Sequence, residues 1–382
     1  MRCPLAIAAL LVAGCASTQI AARTGTAVKV DETDEQGLWQ LAGEAQAELD
    51  RSGHLYADPD LEAYLLEVAR RLEPAEVFQA IPFRFRVVRD RTPNAFCLPN
   101  GAVYVNTGIL TLVGDEAELA ALLGHEMTHA VERHALKQLR SAENSGALLN
   151  VLSSWTGAAA RPGGLVFMAS VAGYSRDLER EADREGLGRV VAAGYDPHDA
   201  PRLFERMRDW VTAEKIKPGS AFYASHPRLD ERIESMRALA EASGASGGEH
   251  GVERYGRRTA GVLLDAARGD LAAGRFPSAR REAERYLALR PDDAQGHLAL
   301  GEIARREGAA GGEEAALASY RRAVELDPKA AEAWRGLGLM LRRKGDGPGA
   351  REAFEHYLGL APTAPDRAHV EAMVKEATGG KP

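Results

Sequence analysis

From residue 256 onward the chain repeats itself with a period that a stack of helix pairs satisfies. Pro291, Pro328 and Pro362 close three similar blocks, 37 and 34 residues apart. In the last block Trp334, Leu337, Gly338, Leu341, Gly345, Ala350 and Phe354 sit at the small and apolar positions of two short helices and their turn. The middle block keeps that order with His297, Leu300, Gly301, Gly308, Ala316 and Tyr320, plus three extra residues around Gly311-Gly312. The first block is looser, with Gly274, Ala279 and Ala283 in register. Each helix pair leaves an apolar face that only its neighbour covers, so the three units are expected to stack into one short all-α solenoid.

A chain of 382 residues is too long for one core, and the solenoid accounts for only its last third. The Gly/Ser-rich stretch 241–255 is expected to be a linker, with the repeats over 256–382 and a separate domain over 36–240. Acidic residues number 55 against 48 basic ones, a net charge of −7 that argues against a phosphate-binding surface, so no nucleic-acid partner is expected. Three cysteines make no disulfide framework. Arg2 followed by the apolar run Leu5–Ala13 is too short to span a bilayer. With Val12-Ala13-Gly14-Cys15 it resembles a bacterial lipoprotein signal. That resemblance implies removal of residues 1–14, lipidation of Cys15 and a polar tether over 15–35. Ala16 after the cysteine implies the outer membrane, so the chain is expected in the periplasm, held to the membrane by its lipid alone.

The folded part begins with Leu38, Leu41, Ala42, Ala45 and Leu49 at helical spacing, and a second helix is expected over Asp60–Leu72 behind Asp58-Pro59. The period then changes. Phe83, Phe85 and Val87 alternate with Arg84, Arg86 and Val88, the pattern of a strand with one buried face, and Ala102–Asn106 reads as a second strand behind the turn Pro99-Asn100-Gly101. Asp115–Leu139 reads as one long helix, acidic at its start and basic toward its end. The apolar stretch 146–174 is interrupted by Trp155, Gly157, Arg161 and Pro162, which fits two short helices over a groove rather than a membrane span. Helices resume over Arg176–Ala193, end near Gly194 and restart behind Pro197.

The chemistry concentrates at His125-Glu126-Met127-Thr128-His129. A spacing of four on a helix puts both imidazoles on one face, close enough to share Zn²⁺, with Glu126 beside them to take a proton from water. A catalytic zinc takes three protein ligands, so another must come from elsewhere. Glu132 and Ala135 stand where a metzincin would have Gly and His, which removes that arrangement. Glu179-Arg180-Glu181-Ala182-Asp183 offers carboxylates on a helix. Glu179 and Asp183 share a face, but periodicity alone does not choose Glu179 over Glu181.

Together these residues resemble metallopeptidase family 48, which includes the prenyl-protein endopeptidases and heat-shock membrane proteases. The resemblance covers about Leu38 to Leu239. It rests on the two motifs, on Asn94-Ala95-Phe96 and Pro99–Gly108 before the catalytic helix, and on Ser225-His226-Pro227 with Arg232-Ile233 after it. It implies an α+β, zincin-like (gluzincin) protease domain, mostly helical with a small β-sheet. It also implies zinc, one ion per chain, on His125, His129 and Glu179. Glu126 is then the general base, Asp183 a supporting or proton-donating carboxylate, and His226 either restrains the metal or stabilises the oxyanion. His54, His134 and His198 match no ligand motif and are expected to be structural. Cys97 departs from the family's small apolar residue and is expected to be a buried hydrophobe. The three blocks of the second half occupy tetratricopeptide positions. A secreted member with such a tail resembles the family's periplasmic branch, which monitors outer-membrane barrel assembly.

The expected reaction is hydrolysis of peptide bonds in unfolded or misassembled outer-membrane proteins. The substrate would add as a strand to an exposed edge in Asn94–Val105, so that Asn94, Ala95, Phe96, Val103 and Val105 line its path. The solenoid would dock the assembly machinery. A scaffold or chaperone acting through the repeats, with latent protease activity, is the alternative.

Overall fold

A computed structural model describes residues 20–24, 33–144, 174–217, 229–245, 247–309 and 311–377. The signal segment, Cys15, the expected groove helices over 146–173 and Ser225-His226-Pro227 lie outside the described residues. The chain divides into two compact units, Met1–Arg258 and Thr259–Pro382. The protein is mostly helical with a three-stranded sheet in its first half and helical repeats in its second.

The first unit opens with α1 (Thr33–Arg51), which buries Leu38, Ala42, Ala45 and Leu49 at the spacing read from the sequence. That stripe packs over Phe96, Leu98, Ala102 and Tyr104 of the sheet. α2 (Pro59–Leu72) starts where Asp58 accepts the Leu61 amide at 3.0 Å and Pro59 supplies a preset φ. After α3 (Ala75–Ala80) comes the sheet, in the order β1 (Arg84–Val88), β3 (Ala102–Asn106), β2 (Ala95–Cys97). β1 runs parallel to β3, pairing Phe85 with Val103, and β2 runs antiparallel to it, pairing Phe96 with Tyr104. Alternation along β1 is as expected, with Phe85 and Val87 buried and Arg84 exposed. β2 has three residues, too few to show a period, and is a strand because the turn at Gly101 folds it back on β3. Gly101 has φ 86°, and a Cβ there would lie 2.5 Å from Ile81 Cγ2.

α4 (Thr107–Leu112) leads into α5 (Glu116–Val131), every residue of which is buried. The expected single helix Asp115–Leu139 is in fact two. It breaks at Glu132–Arg133, where Arg133 takes φ 56°, and α6 (His134–Asn144) sets off from there. Charge pattern alone does not reveal such a break. Its cause is tertiary: the Arg133 guanidinium donates to both oxygens of Glu35, at 2.9 and 2.6 Å. Arg23 donates to the same carboxylate at 2.7 Å and its amide to Val131 O at 2.8 Å. The described part of the expected tether, residues 20–24 and 33–35, is therefore packed against the end of α5. α7 (Arg176–Ala192), a 3₁₀ turn at Pro197–Asp199, α8 (Ala200–Ala213) and α9 (Leu229–Ala242) complete the unit. Among the described residues no helix is long and apolar enough to cross a membrane.

The start of α5 is tied down by charge. Asp115 accepts the Glu118 amide, and the His250 carbonyl accepts the amides of Glu116 and Ala117. The Gly/Ser-rich stretch thus packs on the first unit in its described part, with Glu249 accepting from Arg71 at 2.6 Å. Glu116, 1% exposed, accepts from Tyr64 at 2.8 Å, Tyr195 at 2.6 Å, Arg71 at 2.9 Å and both donors of Arg254.

In the second unit Phe276–Leu289 pairs with the end of Val252–Ala272, Ala294–Glu307 with Gly312–Leu326, and Ala331–Arg343 with Gly347–Leu360. Arg367–Ala377 follows them. Pro291, Pro328 and Pro362 stand in the turns. A Cβ at Gly338 would lie 2.5 Å from the Phe354 ring, which is why the repeat needs its small residue there. The core, built on Tyr320, Phe354 and Tyr357, runs continuously from one repeat into the next.

Burial acts to raise the pKa of Glu116, but the hydrogen bonds from Arg254, Tyr195 and Tyr64 outweigh it and hold the carboxyl below its ordinary 4.5. A depressed folded pKa contributes stability above the unfolded value and loses it as pH falls through the folded one. Glu116→Gln should therefore cost about 2 kcal/mol at pH 7, because it removes the buried charged acceptor of Arg71 and Arg254 and leaves them only the exposed Glu249 as counter-charge. Chemical denaturation followed by circular dichroism should show that deficit shrinking below pH 4.5.

Candidate metal centre

Two helices build the site. α5 carries His125, Glu126 and His129, and α7 carries Glu179 and Asp183. They meet at a pair of glycines. A Cβ on Gly186 would lie 2.8 Å from the His125 amide nitrogen and 2.9 Å from the Gly124 carbonyl carbon, and one on Gly124 would lie 3.0 Å from the Gly186 oxygen. Backbone therefore runs against backbone one residue before His125, and Glu179, two turns upstream of Gly186, reaches the histidine face. Ser175 caps α7 by accepting the Leu178 amide, which starts the helix just short of Glu179.

The nitrogen atoms His125 Nε2 and His129 Nε2 lie 3.2 Å apart. The Glu179 carboxylate is 3.6 Å from the first and 3.7 Å from the second. Zinc–ligand bonds of about 2.0–2.1 Å at tetrahedral angles separate ligand atoms by about 3.3 Å, so this triad has the spacing a divalent cation requires. The hydrogen bonds agree. His125 Nδ1 faces Asp183 Oδ1 at 2.8 Å and Arg232 Nη2 at 3.2 Å; a hydrogen on Nδ1 satisfies the shorter contact, since a carboxylate can only accept, and leaves Nε2 with its lone pair. Two imidazoles aim at one point beside a carboxylate, an arrangement that a cation satisfies.

Asp183 is held in turn by Arg232 of α9, which donates Nε at 3.2 Å and Nη2 at 2.5 Å and lies 3.8 Å from Glu179. Burial alone would raise the Asp183 pKa, but Arg232 and His125 hold it well below the ordinary range. Among the described residues Glu126 has no such ion pair: burial pushes it up to about 7, with His125 pulling the other way. Its carboxylate accepts the Cys97 amide of β2. Cys97 is buried, its Sγ within 3.4 Å of Leu98 O, and burial followed by the nearby Glu126 pushes the thiol pKa well up, as befits a small hydrophobe. A cleft of about 500 Å³ opens beside the triad, lined by Tyr174, Glu179, Asp183, Arg232 and Ser235.

Part of the expected substrate path is misplaced. Val103 and Val105 lie on β3, which is central and paired on both sides, and both are fully buried. Phe96 stacks on Tyr104, ring centres 5.2 Å apart, beneath α1. Asn94 O accepts the Asn106 amide. The edge strand is β2. Leu98 N–H donates to Ala102 O and Asn106 N–H to Asn94 O, so Ala95 and Cys97 are the residues whose backbone groups turn away from β3.

The sequence passed over three neighbours of the triad. Tyr174 lies flat on His129, ring centres 4.1 Å apart at 13°, yet no periodicity singles out an aromatic ahead of a helix cap. Arg232 stood in a quoted motif without a role. His134, fully buried, places Nδ1 2.9 Å from His129 Nδ1. His54 is exposed, and His198 pairs with Asp196 at 2.9 Å, both away from the triad.

Comparison with known proteins matches parts of the chain to two families. Residues 57–240 match peptidase family M48, and residues 264–315 and 309–365 match the tetratricopeptide repeat. The first unit thus carries an M48 peptidase domain, from a family whose members use a metal cofactor, and the second carries tetratricopeptide repeats. The putative beta-barrel assembly-enhancing protease of Vibrio cholerae serotype O1 is 31% identical over 195 residues, 48% of this chain and 40% of that protein. The beta-barrel assembly-enhancing protease of Escherichia coli K12 is 26% identical over 197 residues, 49% of this chain and 40% of its own length. The mitochondrial metalloendopeptidase OMA1 of Schizosaccharomyces pombe is 32% identical over 187 residues, 45% of this chain and 51% of that protein. The chain thus spans two fifths to one half of the length of these three relatives.

The glycine contact makes a sharp expectation. Gly186→Ala should cost about 1–3 kcal/mol by forcing α5 and α7 apart. It should also weaken zinc binding on the order of tenfold, measured by competition with a chromophoric chelator. Gly188→Ala, where a Cβ meets nothing within 4 Å, should leave zinc binding unchanged and raise stability slightly.

Proposed function

We propose that this protein is a zinc-dependent endopeptidase of the bacterial envelope, with His125, His129 and Glu179 as the metal ligands. The observation that carries the reading is the pair of Nε2 atoms 3.2 Å apart beside the Glu179 carboxylate, in a domain of peptidase family M48. Zinc in that triad supplies Lewis acidity, activating a water molecule and polarising the scissile carbonyl. Glu126, beside the first ligand, takes the proton from the attacking water and delivers it to the leaving amine. Its acceptance of the Cys97 amide aims the carboxylate along β2. Asp183, locked by Arg232, keeps His125 Nδ1 protonated and its Nε2 free.

An extended peptide pairs with the outward backbone groups of Ala95 and with the Cys97 carbonyl, which gives little side-chain preference and suits unfolded chains. The substrates are unfolded or misassembled outer-membrane proteins, the tetratricopeptide repeats dock the assembly machinery, and Cys15 anchors the protein by lipid at the inner face of the outer membrane. These readings are supported by the lipobox pattern and by the name of the Vibrio cholerae and Escherichia coli relatives. His226 restrains the metal or stabilises the oxyanion.

The test uses the chain from Ala16 onward, loaded with zinc and incubated with an unfolded outer-membrane barrel protein, with fragments identified by mass spectrometry. Fragments are expected from wild type or His226→Ala. Glu126→Gln should lower the rate by at least about 10²-fold, and a chelator should abolish it. Zinc at one per chain with no cleavage in either active form would instead favour a scaffold acting through the repeats.

A further inference from the structure

We propose that His134, seated on Glu181, is a positioning residue that fixes the tautomer and ring orientation of His129 at the metal centre. The inference rests on the reading of His125, His129 and Glu179 as ligands. It goes beyond that reading by assigning roles to a histidine that matches no ligand motif and to a carboxylate that is not among the three ligands.

The argument is an inventory of hydrogens. Glu181 accepts from Lys137 Nζ at 3.2 and 3.3 Å through its two oxygens, and its Oε2 lies 3.2 Å from His134 Nε2. A carboxylate has no hydrogen to give, so His134 Nε2 carries one. The neutral His134 ring then presents a bare Nδ1, and 2.9 Å away stands His129 Nδ1, which must donate. His129 Nε2 is thereby left with its lone pair on the metal side. With the opposite arrangement, a hydrogen on His129 Nε2 would point at His125 Nε2, and the triad would be closed to a cation. His125 receives the same service from Asp183, a carboxylate. His129 receives it from an imidazole, with the carboxylate one ring further away.

Backbone geometry shows that the arrangement is built. Five residues along a continuous α-helix rotate a side chain by about 140° from the starting face, so His134 could not stand behind His129 if α5 continued. The break at Arg133, with φ 56°, folds His134 back, and the paired Glu35–Arg133 contacts hold the break. His134 is fully buried, and Tyr174 packs on His129 with ring centres 4.1 Å apart and on His134 at 5.7 Å, closing the third side.

The test compares His134→Leu, which removes the acceptor, with His134→Asn, which can restore one near the Nδ1 position. Zinc affinity is measured by chelator competition, and the His129 tautomer by ¹⁵N NMR on metal-free protein at a pH where the imidazoles are neutral. His134→Leu is expected to weaken zinc 10–100-fold and to leave His129 a mixture of tautomers. His134→Asn should recover most of the affinity. Unchanged zinc affinity in a folded His134→Leu overturns the proposal, as does equal loss in both variants with the tautomer undisturbed. Should His134→Leu fail to fold, the wild-type spectrum decides: His129 must be hydrogenated at Nδ1, and hydrogen on Nε2 overturns the assignment. Failure of the ligand reading itself looks different, since zinc affinity would then be indifferent to His129→Ala and Glu179→Ala.

Discussion

Everything at the centre depends on how closely α5 and α7 approach at Gly124 and Gly186. With no side chain on either residue, the two backbones touch one residue before His125. From there Glu179 and Asp183 run alongside the histidine face at the distance of single contacts. Any Cβ at the crossing would have to be accommodated by moving a backbone, which is the least compliant neighbour available. The separation of the helices, and so the size of the triad, is set by packing rather than by the triad.

Around that crossing the protein spends its buried charge on orientation. Glu116 anchors the start of α5 through two tyrosines and two arginines, Glu35 anchors its end through Arg23 and Arg133, and Asp183 with Arg232 braces the middle. Each carboxylate is buried among several donors, so each network is costly to open and leaves little angular freedom. The two imidazoles inherit that rigidity. Glu126 is treated differently: among the described residues no cation clamps it, and burial dominates its pKa. One helix thus presents fixed acceptors and, beside them, a carboxyl whose protonation is not locked.

Much of this was legible in the chain. The 3.6-residue stripes of α1 and α2, the alternation in β1, the capping signals at Asp58 and Asp115 and the repeat register behind Pro291 all report local physics, and the structure follows them. What was missed has a common cause. β2 is too short to carry a period. The break at Arg133 depends on a partner 98 residues away in sequence, and the edge strand is decided by which neighbour β3 acquires on each side. Val103 and Val105 were assigned to an exposed edge because a strand's neighbours are not written in the strand.

The sequence by itself determined the chemistry that is available: two histidines on one helical face, a carboxylate between them, acids on a second helix, and repeats that can bury themselves only by stacking. Tertiary structure decided which acid meets which histidine. Glu179 and Glu181 are two residues apart and equal in composition, yet α7 turns the first toward Nε2 of both histidines and the second toward His134 and Lys137. Only the helix crossing distinguishes them, because a rotation of about 200° along the helix separates side chains that periodicity alone leaves unranked.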